Sequence, residues 1–390
     1  GLGDVYKRQV IYYVSGAYSD CENYRNLSIS PSAITKINYI KSVLKEIGFY
    51  VSLCSFAECT GEKNCMNFTE TVKIDEQEEV YYMFSFGRTN FALKYLSRIV
   101  KTIQLFIFFL FKVGNNDKIL IYHSLQTQKI VNIVKWICKR QIYFEVEEIY
   151  HAKYGSSEVK IKSEIEHLKR AKGYIFVNDI IQKKCGIDGS SAVCYGCYNM
   201  PQSVVPKCVL DDKIHIVYAG EIGPVGSDVF LALEIAKYLP SNYHIHISGY
   251  GNKQDVNMLQ ECIMNIKMSN CCLVTYEGYL PEKDYLNFLS KCDIGLCTRV
   301  LDDEMSDYEF PSKILVYLNN NLFPICPPKR SIQESQISNY VVFYKKPSAI
   351  AIAKAISSVD VTKKNNYQEV LQRLHLEFVQ QMKGIFASEI

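Results

Sequence analysis

The chain has 390 residues, of which 48% are hydrophobic and 22% charged, and its formal net charge is +3. That length exceeds one ordinary core, so two domains are expected, and the composition excludes a disordered chain. A charge so near zero leaves no electrostatic footprint for nucleic acid, which is not expected as a partner.

The opening Gly1–Gln9 lacks a methionine and resembles a translated adaptor sequence, so it is left out of the fold reading. No secretory signal pattern is recognised, and a cytoplasmic location is expected. Residues 10–14 are a short apolar run, as a buried parallel strand should be. Pro31 opens a helix with Ser30 as N-cap; Ile34, Ile37, Ile40, Leu44 and Ile47 mark its buried stripe and Gly48 ends it. Strands follow at 50–55, 80–84, 119–122, 142–146 and 174–177, with helices at 126–139 and 158–172. The apolar stretch 99–112 is short of the roughly 20 residues that span a bilayer. It reads as a buried crossover helix, or else as a patch dipping into a membrane interface between Lys101 and Lys112.

A second series begins with the strand 214–218. It runs through the helix 228–238, the strand 244–247, the helix 254–268, the strand 272–276, the helix 282–289 and the strand 294–297. The helix 312–318, the strand 323–326 and the helices 349–357 and 367–383 complete it. Strands alternating with helices imply an α/β fold with parallel sheets. Pro201 and Pro206 mark a linker at 199–211. The expected domains are therefore 10–198 and 212–360, with a C-terminal helical segment at 361–390.

The 15 cysteines are scattered, many within apolar strands, such as Cys54, Cys272 and Cys297. They read as buried free thiols of a reducing compartment rather than a disulfide scaffold. Cys194 and Cys197 form one C-x-x-C, where a zinc site would want a second tight pair. No metal and no other cofactor is expected.

Residues 309–318 carry the most chemistry. Pro311 favours a helix start, and Ser312 and Lys313 place a hydroxyl and an ammonium in its first turn, a combination suited to phosphate as well as to plain capping. The run resembles the donor-binding segment of bacterial GT-B glycosyltransferases, whose Pro-Ser-Lys falls on Pro311, Ser312 and Lys313. The resemblance covers nearly the whole chain after residue 10. It implies two Rossmann-like domains facing across a cleft, a nucleotide-sugar donor with its diphosphate at that turn, and a glycan or lipid-linked acceptor. The family's helix Glu is here Val316, its earlier Glu position is Tyr308, and Glu309 next to it is the substitute offered for the ribose contact.

The turn 218–226 resembles the family's glycine-rich loop, with Gly220 and Gly223 for close backbone approach. The family's two loop cations are replaced by Glu221 and Val225. Gly249, Tyr250 and Gly251 resemble the turn near the nucleotide, and Tyr276 and Tyr279 fall where the base is read. Core packing is an equal reading for Tyr276. In the first half, Ser15, Gly16, Tyr18 and His123 end strands and are acceptor candidates. The acidic strand end 144–151 resembles a segment of the same transferases. Glu147 and Glu148 are the preferred carboxylates for orienting an acceptor hydroxyl or acting as base, with His151 on the transferred sugar; a solvated acidic turn is the plain alternative.

The expected activity is hexosyl transfer in surface polysaccharide or capsule synthesis, with retention of configuration, Lys313 stabilising the leaving group and peripheral contact at the inner membrane face as an option. Two alternatives stay open: a non-catalytic GT-B scaffold with a degenerate donor site, and a sugar-nucleotide 2-epimerase.

Overall fold

Apolar runs of four to six residues alternate with amphipathic segments, and each run becomes one strand of a mainly parallel sheet. The computed structural model describes residues 9–19, 26–59, 65–115, 117–128, 131–132, 134, 140–187, 189–199, 211–225, 227–267, 272–298, 307–363 and 366–386. These divide into two units, Gly1–Cys197 with Leu376–Ile390, and Tyr198–His375. Most of the expected linker (200–210) and most of the expected helix at 126–139 lie outside the described residues.

The first unit contains β1 (Val10–Ser15), α1 (Pro31–Glu46), β2 (Tyr50–Ser55), β3 (Glu70–Lys73), β4 (Glu78–Tyr82), α2 (Phe91–Phe111) and β5 (Lys118–Tyr122). It continues with β6 (Gln141–Val146), α3 (Tyr150–Lys153), α4 (Glu158–Leu168), β7 (Gly173–Phe176), α5 (Asp179–Cys185) and β8 (Ser190–Val193). The sheet order is β8-β7-β6-β5-β1-β2-β4-β3, parallel throughout except for β3. Central β1 and β2 bury Ile11, Tyr13, Val51 and Leu53 completely. Edge strand β3 escapes sequence reading because Glu70-Thr71-Val72-Lys73 holds a single large apolar residue. Ser30 stands at the N-cap of α1 with Pro31 at the first helical position, but its hydroxyl lies 3.2 Å from Ser32 Oγ and makes no cap bond.

Two expectations need correction here. The 99–112 stretch is not buried all round. It lies in the 21-residue α2, capped by Asn90, whose side chain accepts from Leu93 N at 2.9 Å. Leu105, Phe108 and Phe109 face the core, while Phe91, Tyr95, Ile99, Ile103, Ile107 and Phe111, each four residues apart, form an exposed apolar ridge. Among the described residues no helix is long and apolar enough to cross a membrane. The second correction concerns the thiols. Cys59 and Cys65 form a disulfide, beside two short antiparallel pairs (Leu27–Ser28 with Glu58–Cys59, Met66–Asn67 with Ser85–Phe86) that draw the two cysteines together. Cys54, Cys194 and Cys297 are buried free thiols, and Cys197 and Cys272 are buried and in no disulfide.

The second unit contains β9 (Ile214–Ile222), α6 (Asp228–Ile235), β10 (Tyr243–Gly251), α7 (Lys253–Lys267), β11 (Leu273–Gly278), α8 (Glu282–Leu289) and β12 (Ile294–Leu296). Then come α9 (Lys313–Asn319), β13 (Phe323–Cys326), β14 (Val342–Phe343), α10 (Ala349–Ser357) and α11 (Tyr367–Phe386). The sheet order is β11-β10-β9-β12-β13-β14, all parallel. One face packs Ile216, Ile245, Ile247, Val274 and Leu296 against α6, α7 and α10. On the other, Tyr317 of α9 lies flat on Gly295, where a Cβ would sit 2.3 Å from the ring, and Phe288 of α8 meets His246 edge-on at 5.2 Å. Residues 367–375 of α11 belong to this unit and 376–386 to the first.

Candidate functional site

The donor candidates gather at the carboxyl ends of β9 and β10. Sequence reading made 218–226 and 248–252 loops, but both strands run on, pairing Gly220 with Gly249, Glu221 with Tyr250 and Ile222 with Gly251. Glycine is what permits this. A Cβ on Gly249 would lie 1.8 Å from Gly220 O, and one on Gly251 would lie 2.2 Å from Ile222 O. Lys313, the first residue of α9, aims its ammonium at this edge: Nζ would lie 2.8 Å from a Cβ on Gly220 and stands 5.5 Å from the Tyr218 ring centroid. The amine is thus folded onto the strand end rather than extended into water.

The remaining donor candidates take three different positions. Ser312 is exposed just ahead of α9, with Pro311 half-buried before it, and Gly223 is half-buried in the turn after β9. Tyr250 and Tyr279 are both more than half exposed and meet edge-to-face at 5.8 Å, so they offer aromatic surface beside the glycines. Tyr276 is half-buried and donates its hydroxyl to Gly249 O at 3.0 Å, which makes it a brace for that backbone. Glu309 is not open to a ribose as expected: Lys329, itself buried, holds its carboxylate at 3.0 Å. Lys329 escaped the sequence reading because it stands 16 residues beyond the Pro-Ser-Lys run, in the loop after β13. A hydrogen bond from Cys326 leads the effects that lower the pKa of buried Cys297, and the nearby Lys313 and Lys329 add to them. Glu221 stands exposed on β9 opposite Tyr250, and Val225 is exposed in the turn that follows. A cavity of about 830 Å³ opens along α6 and α7, but its lining includes neither Lys313 nor Gly220.

In the first unit, β6 ends in a carboxylate cluster. Glu145 is fully buried and receives the Tyr13 hydroxyl. Burial pushes its carboxyl up to about 8; the Glu147 carboxylate adds to the rise and Lys36 opposes it. Glu147 forms a nearly buried ion pair with Lys36, which also donates to Cys194 O at 2.6 Å. Glu148 is held through both oxygens by Lys153 at 2.7 Å. His151 Nδ1 lies 3.2 Å from Ser156 Oγ. Glu164, unremarked in the sequence, organises this turn: it accepts from Tyr150 N at 2.9 Å and His151 N at 2.8 Å and bonds His123 Nε2 at 2.8 Å. Burial pushes Glu164 up, but those bonds outweigh it and hold it below the usual carboxylate range.

The acceptor set changes accordingly. His123 is fully buried against Glu164, and Tyr18 is buried with its hydroxyl bonded by Lys41 at 2.8 Å. Neither has a face for an acceptor, because strand-end position did not distinguish an outward side chain from one turned under the sheet. Ser15 is buried too, its Oγ accepting from Ala17 N at 3.1 Å, and a Cβ on Gly16 would strike the Phe56 ring at 2.6 Å. Both shape the turn after β1 rather than line a surface.

A third group was missed. His215, His244 and His246 each bring a ring nitrogen within 4.8 Å of the others. The signal was available: His244-Ile245-His246 puts two imidazoles on one face of a strand. Burial and the neighbouring imidazoles push His244 down to about 4, while the hydrogen bond from His246 holds Glu277 down to about 2.

No protein-family model matches the sequence, and no curated protein is significantly similar to it. Solved structures do match over almost the whole chain. One is an α,α-trehalose-phosphate synthase (UDP-forming) from Burkholderia xenovorans in complex with glucose-6-phosphate: 10% identity, 97% of this chain, 99% of that one, TM-score 0.67. The fold is GT-B. The lipopolysaccharide outer core galactosyltransferase WaaB matches at 12% identity over 98% and 100% of the two chains, with a TM-score of 0.59. Anabaena HepE in complex with UDP and glucose matches at 11% identity over 98% and 100%, with a TM-score of 0.62. GT-B is thus the architecture that sets Lys313 and the glycine pair at the strand ends of its second unit.

Proposed function

We propose that the chain is a nucleotide-sugar-dependent hexosyltransferase that retains the donor's anomeric configuration and works in surface polysaccharide synthesis. The second unit takes the donor and the first takes a glycan or lipid-linked acceptor. The observation that carries the reading is the Lys313 ammonium resting over Gly220, where two strands have lost their Cβ atoms. A diphosphate there meets a full positive charge and bare backbone, with Tyr250 and Tyr279 alongside for the base or sugar. Lys313 then stabilises the charge that grows on the leaving nucleotide. On the acceptor side, Glu148 and His151 are the partly exposed groups that would orient a hydroxyl; Glu147 holds the turn through Lys36. The likeness to galactosyltransferase WaaB supports the polysaccharide role.

A panel of UDP-, GDP- and CMP-sugars read by thermal shift and by acceptor-dependent nucleotide release tests the proposal. Stabilisation by a donor with acceptor-dependent release supports it. No stabilisation by any donor favours the scaffold reading, for which Glu221, Val225 and Val316 speak. Conversion of the sugar without an acceptor favours the 2-epimerase.

The α2 ridge supports a further part of the reading, a lipid-linked acceptor met at a membrane surface. Six large apolar side chains stand in water there, with Lys94 and Lys112 on the same helix to meet anionic headgroups. Such contact would be peripheral and at the cytoplasmic face.

A further inference from the structure

We propose that His215, His244 and His246 form a structural site for a divalent transition-metal ion of the zinc class. The three come from adjacent parallel strands in register, His215 opposite His244 in β9 and β10, with His246 two residues on along the same face. His215 and His246 are buried. Their rings stack at 5.2 Å between centroids, and His244 lies 3.8 Å from His246.

The placing of the ring nitrogens is what points to a cation. His215 Nδ1 and His246 Nε2 face each other at 2.9 Å. Their outer nitrogens are both occupied by carboxylates: His215 Nε2 lies 3.1 Å from Asp211 Oδ1, and His246 Nδ1 lies 2.8 Å from Glu277 Oε1. With the outer nitrogens directed at carboxylates, the inner nitrogens of His215 and His246 converge on one point, and His244 brings a third ring nitrogen within 4.8 Å of both. A divalent cation at that point would be held by all three imidazoles. Histidine donating its far nitrogen to a carboxylate is the usual outer shell of an imidazole-bound metal. Thr275 extends that shell, accepting from His244 Nε2 at 3.0 Å and donating to Glu277. Tetrahedral ligands about 2.0–2.1 Å from zinc stand roughly 3.4 Å apart, which small rotations within a 4.8 Å cluster reach. An all-imidazole set selects Zn²⁺, Co²⁺ or Ni²⁺ over Mg²⁺ or Ca²⁺.

The position argues for a structural role. His215 lies five residues before Gly220 on β9, about 16 Å from the Lys313 end of the strand. The ion would clamp β9 to β10 at their amino-terminal halves, under Phe288 of α8.

The test uses the full chain, stripped with chelator and titrated with Zn²⁺ and Co²⁺ by calorimetry and thermal melting. One equivalent bound with a rise in Tm, lost in His246→Gln and retained in a Cys194→Ser/Cys197→Ser variant, supports the site. Glu277→Gln should weaken affinity 10- to 100-fold through the outer shell. That variant decides the matter if His246→Gln does not fold. No binding by the wild type, equal binding by His246→Gln or Glu277→Gln, or loss of binding in the cysteine variant overturns it.

Discussion

Glu145 offers the sharpest test of how the acidic end of β6 is built. Its carboxyl is fully buried beside Tyr13, with Glu147 adding negative charge, and its pKa rises from 4.5 to about 8. A raised carboxyl pKa means that the native state holds a proton that the unfolded chain has released. Stability from this site is therefore fully present below about pH 4.5 and is lost as pH rises towards 8 and above. At 1.36 kcal/mol per unit the full swing is about 5 kcal/mol. Glu145→Gln keeps the shape and removes the titration. Urea denaturation of the full chain at pH 5, 7 and 9 should show the variant within about 1 kcal/mol of wild type at pH 5 and more stable by several kcal/mol at pH 9. The comparison isolates this site, because groups such as His167, pushed down to about 4 by burial, contribute equally to both proteins. A difference that does not change with pH, or a variant weaker than wild type at pH 9, would show that Glu145 is ionised in the fold and refute the reasoning.

Three further outcomes are expected. Gly249→Ala must displace backbone, since its Cβ would sit 1.8 Å from Gly220 O; a loss of at least about 2 kcal/mol is expected by denaturation, whereas Gly384→Ala, with open space around it, should cost nothing. The disulfide closes a loop between residues 59 and 65, and Cys59→Ser/Cys65→Ser should lower stability by about 2 kcal/mol, with no effect of reductant on the variant's melting temperature. Replacing Ile103 and Ile107, both exposed on α2, with glutamine should abolish co-sedimentation with anionic vesicles and leave melting unchanged; retained co-sedimentation would remove α2 from any membrane role.

Much of the fold was legible because buried parallel strands are near-continuous apolar runs. The strands expected at 50–55 and 323–326 appear with those bounds. What escaped has physical causes. β3 pairs through its backbone at a solvated edge, so its side chains carry no apolar signal. The extensions of β9 and β10 rest on glycine, which reads as a turn until the partner strand is seen to need the space. At the candidate site, Lys313 stood out in the sequence through its local motif. The Lys329–Glu309 pair spans 20 residues and had no local pattern; the imidazole cluster showed only its His244 and His246 half locally, because His215 lies some 30 residues away on the neighbouring strand. Tyr18 and His123 were misjudged because strand-end position says where a residue sits, not which way it turns.

The most direct measurement is donor affinity by isothermal calorimetry for wild type and Lys313→Ala, using whichever nucleotide sugar stabilises the protein. A charge-assisted contact from the ammonium at Gly220 to the donor diphosphate would be worth about 1.5–3 kcal/mol, so the variant should bind at least tenfold more weakly while melting at an unchanged temperature. An unchanged dissociation constant would mean that the diphosphate lies elsewhere.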